Sequence, residues 1–213
     1  QLAKAVNFGL LYGQSAKGLA VQYVEFFLEP QLLTVDLLAV FTTERAGVFE
    51  LEFDVPPGYT VRQVRGDKGT GAAPVVVDSH QLEGENNSRL TVNLSAKAIG
   101  KVGVFVTLER SLDDANLLTP TGELSTIPLP IPRVATAVEQ LKGGVIVYAP
   151  ESLRVNPNGL QGLRTVSFGE ARQDGAFVRG GRLPALREVL GLAHANEDLQ
   201  LALDVQRRQP HVT

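Results

Sequence analysis

The chain contains no cysteine, no methionine and no tryptophan in its 213 residues. Without cysteine there is neither a disulfide framework nor a thiolate metal site, and no redox compartment can be read from the sequence. Without a methionine at position 1 the chain reads as a fragment or a processed product, so missing targeting signals carry little weight. Aromatic residues make up only 6%, which with the missing tryptophan counts against a sugar-stacking platform. A basic excess is also lacking: the net charge is −3 and the sequence pI about 5.7, so bulk attraction for nucleic acid is not expected. His80, His194 and His211 lie too far apart in sequence for histidine metal-site spacing. No apolar run approaches the ~18 residues of a membrane span, and the first residues lack the layout of a secretory signal.

What is present is ordinary globular material. Hydrophobic residues are 44% and charged ones 20%, so a packed core is expected. The length allows one or two domains of roughly 100 to 200 residues each.

From Val24 onward the apolar pattern has a period of two. Thr34 to Thr43 is rich in Val, Leu and Phe. After Glu44-Arg45-Ala46-Gly47, Phe49, Leu51, Phe53 and Val55 alternate with Glu50, Glu52 and Asp54, predicting a hairpin with one buried and one wet face. Thr60–Arg65, Pro74–Gln81, Leu90–Ser95 and Lys101–Glu109 read as further strands, the last two split by Ala98-Ile99-Gly100. Short strands at this spacing predict a mainly β fold, an antiparallel β-sandwich holding one or two β-rich domains. Residues 112–134 carry Pro120, Pro128, Pro130 and Pro132, which cannot donate to a central ladder, and predict an edge or linker. The expected division is a helical segment at 1–22, a sandwich at 23–134 and a second β-rich region at 135–213. In the last, Gly144–Ala149, Leu163–Phe168 and Leu199–Val205 suit strands, and Leu183–Ala193 is a helix candidate.

The opening stretch, QLAKAVNFGLLYGQSAKGLA, has another character. Lys4, Phe8 and Tyr12 follow i, i+4 steps, which on a helix drift only ~40° each and so share one face. Gly13 suits a helix end, and Ser15 a cap for a second short helix reaching about Gln22. Lys4, Asn7, Phe8, Gly9, Tyr12, Gly13, Ser15, Ala16 and Leu19 fit the pattern K-x-x-N-F-G-x-x-Y-G-x-S-A-x-x-L. Residues 1–20 therefore resemble motif B, the fingers helix of family A DNA polymerases. The resemblance implies nucleotide-binding roles for Lys4, Phe8, Tyr12 and Gly13, with DNA and dNTP as partners and Mg2+ as cofactor. It implies no catalytic residue and no metal ligand here, because two aspartates must hold that chemistry's metal ions and neither aspartate motif is found. Two explanations stay open for the change of character after Gln22: a junction between unrelated pieces, or a remote relative whose remainder does not align.

Other candidate chemistry has a plainer reading. Gly66-Asp67-Lys68-Gly69-Thr70-Gly71 lacks phosphate-loop spacing and suits a hairpin loop. Glu50, Glu52 and Asp54, and likewise Asp113-Asp114, suit a solvated surface. Ser167 lacks the glycine two residues before it that a nucleophile elbow needs. Asn86-Asn87-Ser88 and Asn93-Leu94-Ser95 match the glycosylation pattern without further support.

The expected function is thus a non-catalytic β-sandwich module, structural or interacting, of a longer protein. Its partner is an unidentified protein or a neighbouring domain, and no cofactor is called for. An open sheet edge makes self-association an expectation as well. The alternatives are a family A polymerase fragment, which would act in the cytoplasm, and a carbohydrate-binding sandwich. An extracytoplasmic setting stays open for the β-rich body.

Overall fold

The computed structural model describes residues 18–67, 75–172, 185–195 and 198–209. Two sheets dominate it, so the mainly β class follows the sequence. The larger has nine strands in the order β10-β11-β8-β1-β2-β5-β3, with β4 also on β5 and β7 also on β2. Its members are β1 (Gly18–Leu28), β2 (Leu32–Asp54), β3 (Thr60–Asp67), β4 (Val77–Glu83), β5 (Arg89–Ser111), β7 (Arg133–Val134), β8 (Gln140–Pro150), β10 (Leu163–Thr165) and β11 (Leu186–His194). The smaller has three, in the order β6 (Leu124–Pro128), β12 (Gln200–Arg207) and β9 (Leu153–Gln161). Pairing is antiparallel throughout except for β1 against β8.

The two sheets share one core. Val24, Phe26, Leu37 and Val147 of the large sheet cluster with Ile127, Leu153, Leu203 and Val205 of the small one. Each such side chain contributes about 1.5–3 kcal/mol by leaving water, so face-to-face packing of the sheets is the main cohesive term. The opposite face of the large sheet is buried at its centre too. Tyr23, Leu38 and Val40 form one cluster there, and Phe27, Ile146 and Tyr148 another with Ala171. Strands covered on both faces need no polar alternation, which is why β1, β2 and β8 read as near-continuous apolar runs.

Several expectations change. The helical segment expected over 1–22 cannot extend to Gln22, because Gly18–Leu28 is a strand held between β2 and β8. Its β-branched and aromatic content and two ladders of hydrogen bonds outweigh a local cap signal. Residues 1–17 lie outside the described residues. The expected hairpin over 34–55 is instead one strand of 23 residues, β2, and the two strands expected over 90–109 are one strand of 23 residues, β5. These long strands pair along their length and swell in the middle, with register shifts between Thr43 and Val48 and between Val48 and Glu50. Leu32 faces Ser111 and Asp54 faces Arg89, so the two strands advance equally overall and the two shifts cancel. Gly100, at φ +82°, supplies the left-handed residue at this swelling. From Leu186 onward the helix candidate over 183–193 is strand β11. A bulge between Glu188 and Leu190 breaks its alternation and leaves a spacing that mimics a helix. Strands from both sides of residue 134 share the large sheet and its core, so the stretch at 112–134 runs through a common body.

The short helix α2 (Phe168–Arg172) sits close on β8 and β11, with Ala171 buried. A Cβ on Gly144 of β8 would lie 1.9 Å from the Ala171 carbonyl oxygen. Gly144→Ala must therefore lift the helix, and a loss of about 1–3 kcal/mol in urea unfolding is expected. Gly169→Ala is the control, since its nearest neighbour would be Ser167 Oγ at 4.0 Å. That change should be neutral or slightly stabilising.

Candidate functional site

Prolines shape the seam between the sheets. The stretch Pro128-Leu129-Pro130-Ile131-Pro132 leaves β6 and reaches β7, so it straps the small sheet to the large one. Leu129 is fully buried and Ile131 is 9% exposed, both within the shared core. The prolines have no N–H to give a ladder, but their carbonyls still need donors. Each finds a side chain of the large sheet or of the loop beside it. Arg110 Nη2 donates to the Pro128 carbonyl at 2.8 Å, the Tyr59 hydroxyl to that of Pro130 at 3.3 Å, and Gln22 Nε2 to that of Pro132 at 2.8 Å. Leu129 N–H donates to the Leu201 carbonyl of β12 at 2.8 Å.

Gln22 is fully buried on β1 and acts at both ends of its amide. Its Oε1 accepts from Val134 N–H at 2.9 Å while Nε2 holds Pro132. The Arg110 guanidinium also lies 5.4 Å from the Tyr59 ring centroid, a cation–π distance. Burial pushes the Tyr59 phenol well above its ordinary pKa, against a lowering influence from Arg110, so it stays a protonated donor at any physiological pH.

Beside the strap lies a cleft of about 500 Å³, reaching from Val55 and Pro56 across Pro130 to Gln161 and Gln200 of the small sheet. Its charged wall is an ion-pair cluster. Arg89 meets Glu52 at 2.9 Å and Asp54 at 3.1 Å, and Arg133 meets Asp54 at 2.8 Å. These side chains are 29–43% exposed, so each pair is worth about 0–1 kcal/mol, yet together they fix β5 and β7 against the end of β2. A second hollow of about 530 Å³ continues along Pro128, Leu129, Leu160 and Ala202. The arrangement is a groove with a proline floor and an arginine rim.

Lys4, Phe8, Tyr12 and Gly13 fall outside the described residues. Glu52 and Asp54 join the ion-pair cluster, whereas Glu50 stays at the surface opposite Asn93. Asp114 caps the short helix α1 (Ala115–Leu118) by accepting from Asn116 N–H. Ser167 Oγ accepts from Glu170 N–H at the start of α2. His80 is exposed and His194 buried, so they share no site; His211 lies outside the described residues. Among the described residues no group of three His, Asp or Glu side chains converges on a point that could hold a metal ion. Among them, too, no helix is long and apolar enough to cross a membrane.

Sequence reasoning missed the strap's three donors and a buried acid pair. Glu25 and Asp36 face each other across β1 and β2, 2% and 1% exposed. Glu25 accepts from the Tyr148 hydroxyl at 2.9 Å and Asp36 from Thr107 Oγ1 at 2.8 Å. Burial first, and then the charge and hydrogen bond of Glu25, push the Tyr148 phenol well above its ordinary pKa, with Arg172 opposing them. Arg172 in turn pairs with Glu188. The available signal was a lone acid inside each apolar run, VQYVEFFL and LLTVDLLAVF.

No family model and no curated protein matches the chain. Among solved structures, three of the M1 zinc metallopeptidase from Deinococcus radiodurans resemble it at a TM-score of 0.41 and 12–13% identity, one being a mutant bound to a Tyr-Ser-Ala substrate. The match covers 88% of this chain and 41% of theirs, so the chain spans less than half their length.

Gln22→Ala removes both strap bonds at once and leaves a buried carbonyl and a buried N–H unsatisfied. The expected cost is about 2–4 kcal/mol in chemical denaturation. Gln22→Glu should rescue little, because a carboxylate can accept from Val134 but cannot donate to Pro132. On the small sheet, Asp204 accepts from Asn158 Nδ2 and Thr126 Oγ1, both at 2.7 Å, and these bonds hold its carboxyl below the usual aspartate range. A depressed folded-state pKa stabilises above the unfolded value of about 4 and is lost as pH falls through the folded value. Asp204→Asn should therefore lower the unfolding midpoint at neutral pH and converge with the unaltered chain in strong acid.

Proposed function

We propose that this chain serves as a non-catalytic β-sandwich module, structural or interacting, within a longer protein. The observation that supports the reading is the seam. Gln22, Tyr59, Arg110, Arg89, Arg133 and Asp54 all spend hydrogen-bonding groups on holding the strap and the sheet ends together. Groups fixed in this way build a rigid groove and are poorly placed to give or take protons in a reaction. The groove beside the strap presents arginine edges, proline faces and the exposed Leu160, a surface that favours an extended polypeptide.

A second reading rests on the sequence of residues 1–20. If the part of that stretch before Gly18 forms the fingers helix that it resembles, the chain is a fragment of a family A DNA polymerase. Lys4, Phe8, Tyr12 and Gly13 would then contact a dNTP, with Mg2+ and DNA supplied to a fuller protein.

Primer extension with magnesium and all four dNTPs tests the module reading; because the second reading leaves this chain without the metal-holding aspartates, saturable binding of a labelled dNTP that Lys4→Ala weakens is what separates the two. The module reading expects no extension above a no-protein control. Extension that scales with protein concentration would overturn it.

A further inference from the structure

The end of the small sheet opposite the strap carries an unusual concentration of positive charge. A cleft of about 540 Å³ there is lined by Gly122, Arg154, Gln206, Arg207, Arg208 and Gln209. No carboxylate is among these described lining residues. Seven other arginines each meet a carboxylate within 4.0 Å, but Arg154, Arg207 and Arg208 enter no ion pair among the described residues. The like charges of Arg154 and Arg208 at one cleft repel each other, and an anionic ligand would relieve that repulsion.

The cleft is built on ordered backbone. Arg154 of β9 faces Gln206 of β12, and the Gln206 side chain donates to the Gly122 carbonyl at 2.6 Å. Arg207 turns the other way and anchors Nη1 on the Leu117 carbonyl at 2.7 Å. Arg208, the first residue past the end of β12, is held by its N–H on the Ser152 carbonyl at 2.8 Å. Arg154 and Arg208 are both exposed, with free guanidinium faces.

We propose that this cleft docks a short, extended acidic segment of a partner polypeptide. The inference rests on reading the chain as an interaction module and names its partner's chemistry. Two arguments select a short peptide. First, the chain as a whole carries −3, so a long polyanion would be repelled outside this spot, whereas a short segment meets only the local positive field. Second, Arg154 lies on β9 opposite Gln206 and Arg208 follows the last residue of β12, so a strand spacing of ~4.8 Å and a two-residue step of ~6.6 Å set their Cα atoms ~8 Å apart. Carboxylates on alternate residues of an extended chain repeat at ~6.6 Å, near enough to that spacing for each long arginine side chain to take its own carboxylate in a bidentate pair. A single phosphate would engage both arginines only by drawing the two like charges together onto it.

The test is fluorescence anisotropy of a labelled Glu-Gly-Glu-Gly-Glu-Gly peptide with the full chain. Saturable binding is expected at roughly 0.05 M salt, weakening at least ~5-fold at roughly 0.3 M. Arg154→Ser with Arg208→Ser should weaken it by ~10-fold or more, while Arg62→Ser, which removes an exposed arginine elsewhere, should change it less than ~2-fold. Unchanged unfolding midpoints certify that each variant is folded. Absence of saturable binding, equal weakening by Arg62→Ser, or full displacement by inorganic phosphate at the peptide's own concentration would each overturn the proposal. Loss of peptide binding leaves the module reading standing, whereas nucleotide incorporation removes that reading whatever the peptide does.

Discussion

The missing N–H groups of three prolines set the terms for the whole molecule. A segment that crosses from one sheet to the other inside a core must satisfy its carbonyls without a ladder. Here Gln22, Tyr59 and Arg110 do so from three separate places in the sequence, one proline each. Because the intervening Leu129 and Ile131 point into the core, the same five residues close the sandwich and stitch its layers. The large sheet's strand order depends on this closure, since β7 can join β2 only after the strap has carried the chain across.

Polar groups elsewhere follow the same economy. Glu25 and Asp36 lie deep between strands, which costs free energy unless donors are fixed nearby, and Tyr148 and Thr107 are those donors. Arg89 and Arg133 brace the end of β2, while Arg154, Arg207 and Arg208 at the far end of β12 meet no acid among the described residues. The molecule thus has one end where charge is neutralised internally and another where it is not.

Much of this was legible and some was not. The alternations Leu51-Phe53-Val55 and Val102-Val104-Val106-Leu108 predicted buried positions that are buried, and the β class followed from them. Phe49 belongs to the same alternation yet is 59% exposed, because the swelling of the β2 and β5 ladder carries it outside the sandwich. β9 went unseen because Asn156, Pro157, Asn158 and Gly159 look like a turn. An edge strand can hold such residues, since one side of its backbone needs no ladder. β11 was disguised by its bulge. The strap reads as an edge or a linker, and β6 before it is an edge strand; proline content announces missing donors but not the distant side chains that serve the strap's carbonyls. Those donors sit 18 to 110 residues away, a separation that no local pattern encodes.

The cancelling shifts in the ladder of β2 and β5 have a consequence for inheritance. A residue gained or lost on one strand within the swelling would throw the far half out of step, exchanging Leu51 and Phe53 with Glu50 and Glu52 across the two faces. Length changes there can survive only in compensating pairs, one on each strand, although the strands are separated by more than thirty residues of chain. Two distant stretches of the gene are thereby bound to change length together.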